Sequence, residues 1–178
     1  MELIILYGAP GVGKLTVANA LAGRTGYKVF HNHLTTDLVT SLFPFGSADA
    51  VRLIMAFRVE MLKEAAKAEL PGVIHTFVYA VGEDDDLMQR LIDAVEPYGG
   101  KVTLVLLTCE RDVLLQRVVE ESRAQFGKLR DFKVAKDLLA RERLTETFPR
   151  RPSLAIDNTH RSADDVADQI AKSLASAP

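Results

Sequence analysis

Residues 3–16 read Leu-Ile-Ile-Leu-Tyr-Gly-Ala-Pro-Gly-Val-Gly-Lys-Leu-Thr, an apolar run that passes directly into a glycine-rich turn ending in Gly13-Lys14. The run is short and bounded by glycine, so it predicts a buried strand. From Lys14 onward, Val17, Ala18, Leu21 and Ala22 recur at helical spacing and predict a helix packed by that side. Between the two, glycines at 8, 11 and 13 permit backbone conformations that a Cβ forbids, and successive N–H groups can converge at the positive end of the helix. Such a turn is a cradle for phosphate, with Lys14 reaching the β and γ phosphates of a nucleotide as a point charge. Gly8, Ala9, Pro10, Gly11, Val12, Gly13, Lys14, Leu15 and Thr16 are therefore candidate nucleotide-binding positions. The spacing fits G-x-x-x-x-G-K-[ST] except at its end, where Leu15 follows the lysine and the hydroxyl comes one residue later, at Thr16. Leu15 cannot ligate Mg²⁺. Phosphates and water must then hold most of the metal's coordination, with Thr16 acting through water.

Further apolar runs at 27–30, 73–79, 102–108 and 153–156 alternate with helical patterns over 51–69, 87–95, 111–121, 131–146 and 163–175. Continuous apolar strands separated by helices predict a parallel sheet covered on both faces, a three-layer α/β/α sandwich with five strands. The chain has 178 residues, 48% of them hydrophobic, which suffices for one core and predicts a single domain over 1–178. Ligand is expected beyond the carboxyl ends of the strands. A net charge of −2 offers no general attraction to a polyanion, so small molecules are the expected partners and nucleic acid is not. The single cysteine, Cys109, excludes an intrachain disulfide and suits the cytoplasm. No leader pattern or membrane-length apolar run is present, so no membrane partner is expected. Ser162 is placed to cap the last helix. The acidic run Gly82-Glu-Asp-Asp-Asp86 reads as a solvated helix start, or as a source of one metal ligand.

His31-Asn32-His33 ends the second apolar run. Histidines at i and i+2 on a strand end point to one side, toward the expected ligand crevice. Three roles stay open for the pair: capping backbone groups, serving a substrate or its chemistry, or binding a metal with His75 as a third ligand.

The arrangement Gly8-Ala9-Pro10-Gly11-Val12-Gly13-Lys14-x-Thr16 closely resembles the loop of adenylate kinases, which implies that Thr16 contacts the α-phosphate. Over most of the chain the element order is similar to the shikimate kinase, gluconate kinase and nucleoside monophosphate kinase branch of P-loop phosphotransferases. The resemblance implies ATP and Mg²⁺ as cofactors and transfer of the γ-phosphoryl group to a small-molecule acceptor, shikimate-like acceptors being favoured. Phe57-Arg58-Val59-Glu60 matches a Phe-Arg and nearby Glu that shikimate kinases carry before the third strand, which implies that Arg58 binds the acceptor. His31 and His33 stand where those kinases have Asp-x-Asp. Their glycine triplet after the third strand is absent here, and no acid ends the strand His75-Thr76-Phe77-Val78-Tyr79. Phe77 and Tyr79 are candidates to wall the acceptor pocket, or are core. His33 is the candidate to orient or deprotonate the acceptor, and Asp37 could hold its imidazole. Residues 110–130, a helix running into a basic stretch, look like a kinase lid placed at about 120–131. By that resemblance Arg117 lies against the adenine and Arg123 approaches the phosphates, with Lys128 and Arg130 behind them. Asp157-Asn158-Thr159 resembles the segment that holds the adenine edge through its main chain, and reads equally as a plain turn. Arg141, or its neighbour Arg143, falls where shikimate kinases place a second carboxylate-binding arginine. Two other readings remain: a nucleotide-hydrolysing regulator without an acceptor, and a kinase of nucleosides, nucleotides or polynucleotide ends.

Overall fold

The structure, a computed structural model, describes residues 1–118, 139 and 143–176. The first apolar run forms β1 (Glu2–Tyr7), and from Leu3 to Tyr7 it has no solvent exposure at all. It is the middle strand of a five-stranded sheet, hydrogen-bonded in parallel to β3 (Gly72–Phe77) on one side and β4 (Lys101–Thr108) on the other. The outer strands are β2 (Lys28–His31), paired with β3, and β5 (Leu154–Asp157), paired with β4, which gives the order β2-β3-β1-β4-β5, parallel throughout. The α-helices described from end to end are α1 (Lys14–Thr25), α2 (Asn32–Thr40), α3 (Ala48–Lys67), α4 (Asp85–Asp93), α5 (Arg111–Val118) and α6 (Ala163–Ala175), with a short 3-10 turn at Glu96–Tyr98.

Alternation along β1 divides the core in two. Leu3, Ile5 and Tyr7 face α3 and α4, meeting Leu62, Ala66, Leu87, Met88 and Leu91. Ile4 and Leu6 face α1 and α6, meeting Val17, Ala18, Leu21, Val166 and Ile170. The result is the three-layer α/β/α sandwich expected from the sequence. Ser162 caps α6 as expected, its Oγ accepting from Asp165 N–H at 3.1 Å, and Ser47 caps α3 in the same way through Ala50. The acidic run at 82–86 leads into α4, with Asp85 and Asp86 in its first turn.

Three elements differ from their sequence-based bounds. The third strand stops at Phe77, and Tyr79 lies past its end. A helix follows β2 with no intervening loop: His31 ends the strand and is the N-cap position of α2. Its Thr-Thr and Val residues favour strands intrinsically, so the short segment carried no helical signal of its own. Most of the helix expected over 131–146 falls outside the described residues, while residues 143–146 form a non-helical turn. No helix among the described residues is long and apolar enough to cross a membrane.

Candidate active site

The loop between β1 and α1 holds Gly8, Gly11 and Gly13 at φ of +136°, +91° and +97°. Two of these positions admit glycine for separate reasons. A Cβ on Gly8 would lie 2.3 Å from the Leu107 carbonyl oxygen of β4, and one on Gly13 would lie 2.8 Å from the side-chain nitrogen of Asn158. Lys14 is nearly buried, and its Nζ donates to the carbonyl oxygens of Gly8 and Ala9, each at 2.8 Å. Ala9 and Val12 pack into the core beside the sheet, whereas Leu15 is half-buried and Thr16 exposed on the first turn of α1. A cradle that a Cβ would fill, next to a lysine and the N-terminus of a helix, fits a polyphosphate. For Mg²⁺ the loop offers Thr16 alone as a side-chain oxygen, and the described residues contain no cluster of three or more His, Cys, Asp or Glu able to hold a metal.

At the carboxyl end of β2 the structure brings His31, His33 and Arg58 into one region. The imidazole centroids of His31 and His33 are 6.3 Å apart, and His33 Nδ1 lies 4.0 Å from Asp37 Oδ1, an ion-pair separation and not a hydrogen bond. Arg58, on the α2-facing side of α3, is 8% exposed. Its Nε donates to Thr35 Oγ1 at 3.0 Å, and its Nη2 donates to the Asn32 carbonyl and to Thr36 Oγ1, each at 3.2 Å. Its guanidinium carbon lies 6.0 Å from the Phe77 ring centroid. Burial pushes its pKa down to about 10, opposed by the charge of Asp84, and no carboxylate pairs with it among the described residues. The threonines and Asn32 that hold this guanidinium were not legible as site residues. Their roles follow from the packing of α2 on α3, which no local pattern announces.

Phe77 and Tyr79 are buried in the core. Tyr79 has no exposure, packs edge-on against Tyr7 and Phe148 at centroid distances of 5.3 and 5.9 Å, and donates its hydroxyl to Asp85 Oδ1 at 2.6 Å. Burial and that carboxylate push its phenol up. Phe77 fills the space between the rings of His75 and Tyr79. Outside this core, α2 and the turn after it leave Leu34, Leu38, Leu42 and Phe45 exposed.

His75 is likewise core, and it joins no cluster of three or more metal-holding groups among the described residues. It has no exposure, and its Nδ1–H donates to the Phe30 carbonyl at 2.7 Å, while Nε2 has no hydrogen-bond partner among the described residues. Burial, with the charge of Arg58, pushes its pKa down to about 3, so the folded protein holds it neutral. The unfolded chain would protonate it at about pH 6.5. The stability this difference supports is fully present above that pH and is lost as pH falls toward the folded value, by up to about 1.4 kcal/mol per pH unit. His75→Gln keeps a donor for Phe30 without a titrating group. Urea unfolding should therefore show a midpoint that drops between pH 7 and 4.5 in the natural protein and drops clearly less in the variant.

The turn after β5 lies beside the phosphate loop. Asp157 Oδ1 accepts from the Thr159 hydroxyl and from Thr159 N–H, the latter at 2.9 Å, and these two bonds make the turn and hold the Asp157 carboxyl below its usual range. Arg117 Nη2 donates to the carbonyls of Asn158 and Thr159 at 3.1 and 2.8 Å, so the arginine at the end of α5 is fastened to this turn. Arg143 pairs with Glu146 at the surface. Arg123, Lys128, Arg130 and Arg141, with the lid at 120–131, lie outside the described residues.

No family model and no curated protein matches the sequence, but solved structures match over nearly its whole length. A sugar kinase from Janibacter sp. HTCC2649 covers 100% of this chain and 96% of its own with a TM-score of 0.69 at 15% identity. A gluconokinase from Sinorhizobium meliloti 1021 covers 98% and 95% with a TM-score of 0.63, also at 15% identity. A shikimate kinase from Aquifex aeolicus covers 98% and 96% with a TM-score of 0.60 at 18% identity. The chain has the fold of the P-loop small-molecule kinases of the shikimate and gluconate kinase branch.

Proposed function

We propose that the protein is an ATP-dependent kinase that moves the γ-phosphoryl group to a hydroxyl of a small anionic acceptor, within the cytoplasm. The observation that carries this reading is the loop of left-handed glycines with Lys14, set at the carboxyl end of the middle strand. The loop N–H groups and Lys14 hold the triphosphate. The main chain of Asp157, Asn158 and Thr159 holds the base edge, and Arg117 steadies that turn. His33 orients the acceptor hydroxyl and takes its proton as the new P–O bond forms and the bond to the β-phosphate oxygen breaks. His31 lines the same crevice. When bound, Mg²⁺ neutralises charge on the β and γ oxygens, and Thr16 is the residue that would hold it, through water. Arg123 and Arg141 are assigned by resemblance to the transferring phosphate and to the acceptor.

The anionic character of the acceptor rests on Arg58, a buried cation without a carboxylate partner among the described residues. An acceptor carboxylate or phosphate supplies that partner. Arg58→Ala should raise the acceptor KM by about tenfold to a hundredfold, the worth of a hydrogen bond to a charged group, with a smaller change in kcat. Arg58→Lys, which keeps the charge but loses the fork, should fall between. Equal KM values in all three proteins would remove Arg58 from the site.

The experiment that tests the function itself is a panel of hydroxylated acids, polyols and nucleosides assayed for stimulation of ATP consumption. A kinase responds to at least one member. Response to none favours the second reading, a slow nucleotide-hydrolysing regulator, for which the lack of an acid at the end of β3 is the supporting observation.

A further inference from the structure

Asn158 is 4% exposed, and its Nδ2 donates to the Val12 carbonyl at 2.7 Å, which joins the turn after β5 to the phosphate loop. The turn does not need this bond, because Asp157 and Thr159 already close it. The bond's effect is on the orientation of one peptide plane. In a trans peptide the C=O and the next N–H point in opposite directions, and no cis peptide is present among the described residues. With its carbonyl drawn toward Asn158, the Val12–Gly13 peptide turns the Gly13 N–H the other way. Gly13, at φ +97°, is a residue for which the reversed plane costs little. The reversed plane would present a carbonyl oxygen to a phosphate and repel it.

The anchor is itself held in place. Asn158 N–H donates to the Thr108 carbonyl at 2.9 Å, and its own carbonyl accepts from Arg117. Close packing matches the partners, since any Cβ at position 13 would strike the Asn158 amide.

We propose that Asn158 is a positioning residue that locks the Val12–Gly13 peptide with its N–H toward bound phosphate. The proposal rests on reading the loop as a triphosphate site, and it assigns to Asn158 a side-chain role separate from the main-chain contact with a base. Without the lock, the loop samples both orientations, and only one of them donates to the anion.

The test uses inorganic tripolyphosphate, which has no base to report on the turn. Asn158→Asp preserves size and removes the donor, and Asn158→Ser, which is too short to reach Val12 and adds no charge, is the second variant should the first fail to fold. By calorimetry the variants should bind tripolyphosphate about tenfold or more weakly than the natural protein, as expected for one hydrogen bond to a charged group. In ¹H–¹⁵N spectra the Gly13 amide should shift downfield on adding tripolyphosphate to the natural protein, and shift much less in the variants. A merely structural role would lower the melting temperature and leave both readouts unmoved. Binding within about twofold in all proteins, with the same Gly13 shift, would overturn the lock while leaving the phosphate site standing. Absence of tripolyphosphate binding by the natural protein would overturn the site reading, and the lock with it.

Discussion

Lys14→Ala should abolish most nucleotide binding while the protein stays folded. The lysine is the one side-chain cation in the loop from Gly8 to Thr16. Its ammonium is directed at that loop, donating to the carbonyls of Gly8 and Ala9 at 2.8 Å. Phosphate oxygens accept the same protons more strongly than carbonyls do, because the acceptor is charged. The loss of ATP affinity should therefore be about tenfold to a hundredfold. The loss of transfer rate should be larger, about a hundredfold to a thousandfold, because charge develops on the moving phosphoryl group and a positioned donor is worth more there than in the ground state. Of the two carbonyls that the lysine leaves, that of Ala9 keeps its bond from Val12 N–H at 3.4 Å, so the expected effect is on binding more than on the fold. Calorimetry with ATP and a melting curve decide the matter. Unchanged affinity with unchanged melting would show that the loop is a turn and nothing more.

The second large effect is on stability and belongs to Gly8. An alanine there would place its Cβ 2.3 Å from the Leu107 carbonyl, a backbone atom of β4 in register with Ile156 of β5, and would have to adopt φ +136°. Neither the clash nor the dihedral can be relieved by a side-chain rotation. Each is worth about 1–3 kcal/mol as strain, against a total stability of about 5–15 kcal/mol. Gly8→Ala should lower the melting temperature by about 5–15 °C at the scale expected for a chain of this size. Gly23 supplies the contrast: it lies within α1, no atom lies within 4 Å of its added Cβ, and its φ is not positive. Gly23→Ala should raise stability by about 0.5–1 kcal/mol. If both substitutions behaved alike, the close approach of the loop to β4 would be wrong.

The glycine-rich loop was legible because its geometry is local. Glycine spacing, the adjacent strand and the lysine all lie within fourteen residues, so a linear reading captures geometry that the fold then realises. The sheet was legible for a similar reason: a strand buried on both faces, as β1 is, leaves an unbroken apolar run. The turn after β5 was legible only as a turn. Asp157 makes it through its own neighbours, whereas Asn158 reaches Val12 across 146 residues of sequence and leaves no trace in spacing.

The region at the end of β2 divides in the same way. Arg58 was marked by its Phe-Arg context, yet its partners Thr35, Thr36 and Asn32 come from a helix that the segment's own propensities do not favour. That helix forms because α3 offers Ala50 and Ile54 for Val39 to pack on. Phe77 and Tyr79 illustrate the opposite outcome. Aromatic residues near a strand end suit a pocket wall or a core equally well by pattern, and only the arrival of Tyr7 and Phe148 from distant parts of the chain made Tyr79 a core residue. The amino-acid sequence alone thus determined the layers and the strand-loop-helix with its left-handed glycines, since these depend on residues adjacent in the chain. The tertiary structure decided which polar groups are buried together at the strand ends, because desolvation and hydrogen bonding there depend on elements that meet only after folding.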